Sequence, residues 1–414
     1  MNLKRIVKSL SAYLLLGAFV ITMSAGSGCN KTKTIEDYPE PVTVENTEIE
    51  LDVPEGESSE SSEAKASEQL NLTDEQFEEF IAIPDPFEKT GQFRYNPTVI
   101  PEYYARRFRE KPAIIAVAKT MMEAAYNVER GFEVPPENVL EFDDFYKALT
   151  LAQMSSPIAD STQMQTEDFQ VYEVVYMPQY VVNENEQGIF FELASEQTSY
   201  DDAGKTINDF TDYIQDLVNK NVSKEDPDIV KAEKIYEALV KDLSYSEMGT
   251  QMEGMYTMED IAESLGSESR TIENIVKDKS LNQEKLALLY QHILTQLKIE
   301  CLTVTSSGLY HNQGIEKLDK EMSSTGSNTW NVIVVNGKAY HCDLAYEIMT
   351  YEHDKAAHGE GYDPQMKYFG MSDATRDESF SVTKSNLRLY DLYSGLQIGN
   401  IPDMVPECLE DYKK

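Results

Sequence analysis

An α+β fold, in which a helix packs on an antiparallel sheet, is predicted for the C-terminal half of this 414-residue chain. Residues 327–347, SNTWNVIVVNGKAYHCDLAYE, read as two strands joined by Asn336-Gly337. That pair suits a two-residue hairpin turn, because both positions need positive φ. Upstream, residues 283–298 repeat Leu286, Leu289, Tyr290, Ile293, Leu294 and Leu297 at helical spacing. A β-branched run at 302–305 follows.

The turn sets the hairpin register. Val335 faces Lys338, Val332 faces His341, Trp330 faces Asp343 and Thr329 faces Leu344. Side chains alternate along a strand, so Asn328, Trp330, Val332, Ala339, His341 and Asp343 share one face. Asn328 and Asp343 are then diagonal neighbours, roughly 7–8 Å apart.

The rest of the chain divides by composition. The formal charge of −37 excludes a basic nucleic-acid-binding surface. Residues 1–29 read as a targeting segment, with Lys4, Arg5 and Lys8 before an apolar stretch at 13–23. Ser27-Gly28-Cys29 resembles a bacterial lipobox, which implies lipid attachment at Cys29 and a membrane partner; Gly26 departs from the usual leucine. The other reading is an ordinary secretory signal. Residues 30–70 are dense in Glu, Ser and Pro and too poor in apolar surface to fold, so they are expected to form a disordered acidic tether.

Residues 71–217 read as a mixed helix-and-strand region. Thr73 caps a short helix, Pro112 starts a helix to Arg130, and 138–153 and 200–218 are helical. Strands at 169–177 and 188–193 flank an acidic turn at 183–186. Residues 218–400 are assigned to one domain and 401–414 to a tail. Within that domain Val230, Ala232, Ile235, Leu239, Val240 and Leu243 form a helix face ending at Leu243-Ser244-Tyr245.

Five segments across about 226–380 resemble the transglutaminase-like superfamily, whose core is of the papain-like cysteine-protease type. Asn328-Thr329-Trp330-Asn331 is similar to its His-x-Trp-Asn strand. The run from Gly337 to Asp343 is similar to Gly-Lys-x-Tyr-x-x-Asp, and residues 366–373, MKYFGMSD, to a closing Tyr-Phe-x-x-Ser-Asp. The helices at 226–246 and 283–298 complete the set. The resemblance implies a thiol opening the second helix, where the dipole lowers its pKa, a histidine base and an aspartate that orients it. Gln283 stands at the thiol position, with Asn282 or Glu284 there on a slip of one residue. Asn328 stands at the base position, while Asp343 is retained.

An amide neither ionises near neutral pH nor shuttles a proton. The implied function is therefore a surface lipoprotein whose degenerate domain binds a peptide, a glycan or a cell-wall component, through a cleft walled by Trp330, Tyr245 and His341. The alternative is a hydrolase or acyltransferase with a relocated nucleophile, Ser280 or Ser327, using His341 and Asp343. Each residue also has a scaffold reading: Trp330 as core, His341 as a buried ring, Asp343 as a structural carboxylate. Cys301, Cys342 and Cys408 read as small buried side chains or a disulfide. His311, His353 and His358 show no metal-ligand spacing, and no cofactor is expected.

Overall fold

The computed structural model describes residues 70–89, 91–129, 131–134, 138, 140–160, 177–183, 186–192, 200–246, 271–306, 328–359, 361–379, 387–389 and 405–413. Cys29, His311 and Ser327 lie outside the described residues, as do the targeting segment and nearly all of the tether. The N-terminal region opens with α1 (Asp74–Ile81). Thr73 and Gln76 form a reciprocal capping box there, Thr73 Oγ1 accepting from Gln76 N–H and Gln76 Oε1 from Thr73 N–H. After α2 (Glu102–Ala105), Pro112 occupies the first turn of α3 (Pro112–Tyr126), where its missing N–H costs nothing. The helix stops short of Arg130: Val128 takes a φ of 56°.

β1 (Gly131–Glu133), α4 (Phe142–Ser155) and α5 (Pro157–Asp160) follow. β2 (Met177–Asn183) and β3 (Glu186–Glu192) form a hairpin, with β3 central in the order β1-β3-β2. Of the first expected strand, 169–177, all but Met177 lie outside the described residues. Pro178 is tolerated because β2 is an edge strand. Two long helices, α6 (Tyr200–Asn221) and α7 (Asp228–Asp242), lead to the C-terminal half. Ala232, Ile235, Leu239, Val240 and Leu243 of the expected α7 face are buried.

β4 (Ser244–Tyr245) runs parallel to β5 (Ser280–Leu281), immediately before α8 (Gln283–Gln296). β6 (Glu300–Ser306), β7 (Asn328–Val335), β8 (Lys338–Cys342), α9 (Leu344–His358), β9 (Phe369–Met371), α10 (Asp373–Ser379) and β10 (Leu387–Leu389) complete the fold. The sheet is antiparallel, in the order β10-β6-β7-β8-β9. Asn336 and Gly337 have φ of 53° and 74°, as the turn requires, and Val335–Lys338 and Val332–His341 pair as read from the sequence.

The second strand ends two residues early. The ladder closes at Asn331–Cys342, so the expected Trp330–Asp343 and Thr329–Leu344 pairs do not form. Asp343 instead caps α9: its carboxylate accepts from Tyr346 N–H at 3.0 Å.

Both faces of this sheet are covered. Cys301, Ile333, Val335, Tyr340 and Cys342 join one core with α8 and the N-terminal helices. Leu302, Val304, Trp330, Val332 and Ala339 form a second with Tyr346, Met349, Tyr368, Met371, Val405 and Cys408. Residues 65–414 make one compact unit. Among the described residues no helix is long and apolar enough to cross a membrane.

Residues 405–413, which the sequence reading set apart as a tail, dock on β9 and α10. Tyr412 N–H donates to Gly370 O and Asp373 N–H to Cys408 O, both at 2.7 Å. Asp411 accepts from Ser372 N–H at 2.7 Å, and Lys338 pairs with Glu410. The approach depends on Gly370, whose φ is +74° and where an added Cβ would lie 2.6 Å from Tyr412 Cβ. Gly370→Ala should lower the unfolding free energy by about 2 kcal/mol, read as a shifted urea midpoint at unchanged slope.

Candidate functional site

α8 is held by its surroundings on every side. Asn282 caps it, the side chain accepting from Lys285 N–H at 2.9 Å. Against the sheet, Asn331 Nδ2 donates to Ala287 O at 3.0 Å and contacts Thr303 Oγ1 at 3.2 Å. Against α7, Tyr290 OH donates to Ala232 O at 3.0 Å. Against α4 and α5, Gln291 donates to Met154 O and Lys285 pairs with Asp160. Gln283 is the first residue of this helix and is half-buried. It stands at the positive end of the helix dipole, where an ionised thiol would be stabilised; a carboxamide has no charge to stabilise there.

Asn328 opens β7, with its backbone opposite Ser306. Tyr245 is half-buried in β4 and packs against both cores. Ser280, one of the relocated-nucleophile candidates, is half-buried in β5 and pairs through its backbone with Ser244.

Trp330 and His341 do share a face, as strand alternation requires. That face is interior: Trp330 is 4 % exposed and His341 0 %. Helix α9, the β9 region and residues 405–408 cover it, so the expected cleft wall of Trp330 and His341 is closed. Trp330 Nε1–H donates to His341 Nδ1 at 3.0 Å, and the guanidinium of Arg376 lies 5.4 Å from the indole centroid. An indole nitrogen only donates, so Nδ1 must accept and the neutral ring carries its proton on Nε2. Nε2–H then donates to Asp373 Oδ1 at 2.9 Å. His341 is therefore oriented by Asp373, and Asp343 caps a helix. Burial pushes the His341 pKa down despite the aspartate. Burial is the largest single influence on Asp373 and acts to raise it, but His341, the Cys408 N–H and the Arg376 cation together outweigh it and hold that carboxyl below its usual value.

His341, Asp373 and Cys408 bring ligand-type atoms within 4.8 Å of one another. The set resembles both a cation site and a displaced Cys-His-Asp triad. The tautomer argues against each. Nε2 has no lone pair for a cation, and Nδ1 has none left to take a proton from Cys408. The described thiols, Cys301, Cys342 and Cys408, are all buried and none is in a disulfide. Burial pushes Cys301 and Cys342 well up, away from the thiolate. Of the other histidines, His353 is exposed beside Asp354, and His358 stacks on Tyr362 at 5.1 Å.

Two buried histidine-centred networks escaped sequence reasoning. Asp373 belongs to the quoted MKYFGMSD segment, and only that context signalled it. His292 gave no signal beyond its place on α8. Its Nδ1–H donates to Ser155 O at 2.8 Å and its Nε2 accepts from Tyr95 OH at 3.0 Å. Burial lowers His292 from 6.5 to about 4. Between those values the unfolded chain binds a proton that the folded chain refuses, so stability falls as pH drops through the interval. The difference corresponds to about 3 kcal/mol. His292→Gln can retain both hydrogen bonds, and should flatten the pH dependence of the urea midpoint relative to wild type.

No family model matches the chain, and no curated protein matches it. Among solved structures it is similar to one described as a TGase, at 9 % identity and a TM-score of 0.26, over 57 % of this chain and 64 % of that one. It is also similar to a candidate protease from Parabacteroides distasonis ATCC 8503, at 11 % identity and a TM-score of 0.20, over 40 % of this chain and 35 % of that one. The chain thus spans about a third of one neighbour and just under two thirds of the other. Likenesses this distant carry no inference about activity. What stands is an α+β fold of helices and antiparallel sheet.

Proposed function

We propose that this chain is a membrane-anchored extracytoplasmic lipoprotein whose transglutaminase-like domain has lost its acyl-transfer machinery and binds a peptide, a glycan or a cell-wall component. The single observation carrying the reading is the residue at the start of α8. A dipole-bearing helix terminus, rigidly held against a sheet, presents Gln283 where the resemblance requires a nucleophile. Asn328, at the base position, begins β7 in the same half of the chain. His341 does not replace that base, because both its nitrogens are engaged. Lipid attachment at Cys29 rests on the sequence pattern alone.

The full-length protein is tested first for turnover of a glutamine-donor peptide with an amine acceptor. No turnover is expected, and cosedimentation with insoluble cell-wall polymer, or binding to a peptide library, should be retained. Gln283→Cys is then expected to introduce one fast-labelling thiol, its pKa lowered below the ordinary value of about 8.5. Turnover in the wild-type chain that Asp343→Ala abolishes would overturn the reading. A Gln283→Cys thiol no more reactive than the buried cysteines would remove the dipole argument beneath it.

A further inference from the structure

We propose that His341 is an acid-sensitive latch: a proton added at Nδ1 turns the acceptor of Trp330 into a donor and releases the terminal segment at Cys408, while Asp411 stays bound. The closed geometry depends on a neutral ring. Trp330 Nε1–H points at Nδ1 from 3.0 Å, and in the imidazolium both ring nitrogens carry hydrogens. Two N–H groups would then oppose each other inside a core where His341 has no access to water. The ring has to move, and Asp373 moves with it, because Nε2–H is bonded to Asp373 Oδ1. Asp373 also grips the terminal segment at two points. Its Oδ2 accepts from Cys408 N–H at 3.2 Å, and its own N–H donates to Cys408 O at 2.7 Å.

The charged and titratable neighbours decide where the proton is taken up. α10 supplies Asp373, Arg376 and Asp377, and the terminal segment supplies Cys408. The two aspartates favour the imidazolium, while burial and the Arg376 cation oppose it. Burial is the larger influence, so the closed form resists protonation and the opened form accepts it near the ordinary 6.5. Asp411 does not open with the latch. Ser372 N–H and Thr375 hold its carboxyl below the usual range, so it stays ionised and bound in mild acid. Release therefore begins at Cys408.

Trp330 is the only tryptophan of the chain, so tryptophan fluorescence reports on the surroundings of this one ring. The full-length protein is titrated from about pH 7.5 to 4.5, across the ordinary histidine range. Amide protection factors for residues 405–413 are measured in parallel. The protection factor of Cys408 should fall about tenfold per pH unit below about 6.5, as expected for opening linked to one proton. Trp330 emission should change over the same interval while far-UV dichroism stays constant. His341→Gln presents one acceptor and one donor, like the neutral ring, and should abolish both changes; His353→Gln should leave them intact. The proposal is overturned if the transition survives His341→Gln, if no transition occurs, or if the helices melt with it. Should His341→Gln not fold, nitrogen-labelled histidine spectra of the unaltered chain decide. A His341 ring that stays neutral while Cys408 loses protection also overturns it.

Discussion

Lys285→Met should destabilise the protein by about 3–5 kcal/mol, the range for breaking a buried ion pair at one partner. Lys285 Nζ lies 2.9 Å and 2.7 Å from the two oxygens of Asp160, and Thr271 Oγ1 donates to the same carboxylate at 2.9 Å. The side chains are only 12 % and 4 % exposed, so solvent screens the pair weakly. Removing the lysine leaves a carboxylate between α5 and α8 with one neutral donor. Replacing both partners, with Lys285→Met and Asp160→Leu together, should recover most of the loss, because apolar pairs of similar volume often match buried ion pairs. The contact joins residues 71–217 to the first turn of α8, beside Gln283. Single and double variants are compared by urea unfolding, followed both by Trp330 fluorescence and by far-UV dichroism. Coincident transitions, shifted together by Lys285→Met, would show that both parts of the chain unfold as one cooperative unit. A loss in Lys285→Met below about 1 kcal/mol would place the pair among solvated surface contacts and remove this coupling.

What could be read locally was written in short-range pattern. The leucine spacing on α8 and the Asn336-Gly337 pair each specify their own conformation, and both elements formed within two residues of the expected bounds. The same pattern misled at Asp343. Strand alternation extends to it on paper, but an aspartate followed by Leu-Ala-Tyr-Glu is also a helix cap, and the cap prevailed because its carboxylate satisfies Tyr346 N–H. At β2, Pro178 fits because the strand lies at an edge, and nothing in the local sequence says which strand does. The candidate site was less legible for a related reason. Alternation placed Trp330 and His341 on one face, yet what covers that face comes from residues 346–371 and 405–408. The partner of His341 likewise lies thirty-two residues downstream. Burial of this kind is a property of distant segments, and no window around the hairpin contains it.

Gln291→Leu should be as costly as the loss of Lys285, and it tests the other anchor of the same helix. Gln291 is fully buried on α8 and serves three elements. Its Oε1 accepts from Thr303 N–H of β6 at 3.0 Å and from Tyr104 OH of α2 at 3.2 Å. Its Nε2 donates to Met154 O of α4 at 3.2 Å. Leucine would fill most of the volume but satisfy none of these groups. Each buried polar group stranded without its bond costs about 1–3 kcal/mol, so the three together give a loss of about 3–9 kcal/mol if the site stays dry. Gln291→Glu separates volume from bonding: it keeps the acceptor, loses the donor to Met154 and buries a carboxylate, so it too should destabilise, and more so as pH rises. The readout is the unfolding free energy from urea titration at two pH values. The position also bears on the proposed binding role. Gln291 lies two turns from Gln283, so this hub fixes the axis along which the helix terminus is presented. Preserved stability in Gln291→Leu would mean that water replaces the amide and that α8 is held by apolar packing alone. In that case the rigid presentation of Gln283 would need another source.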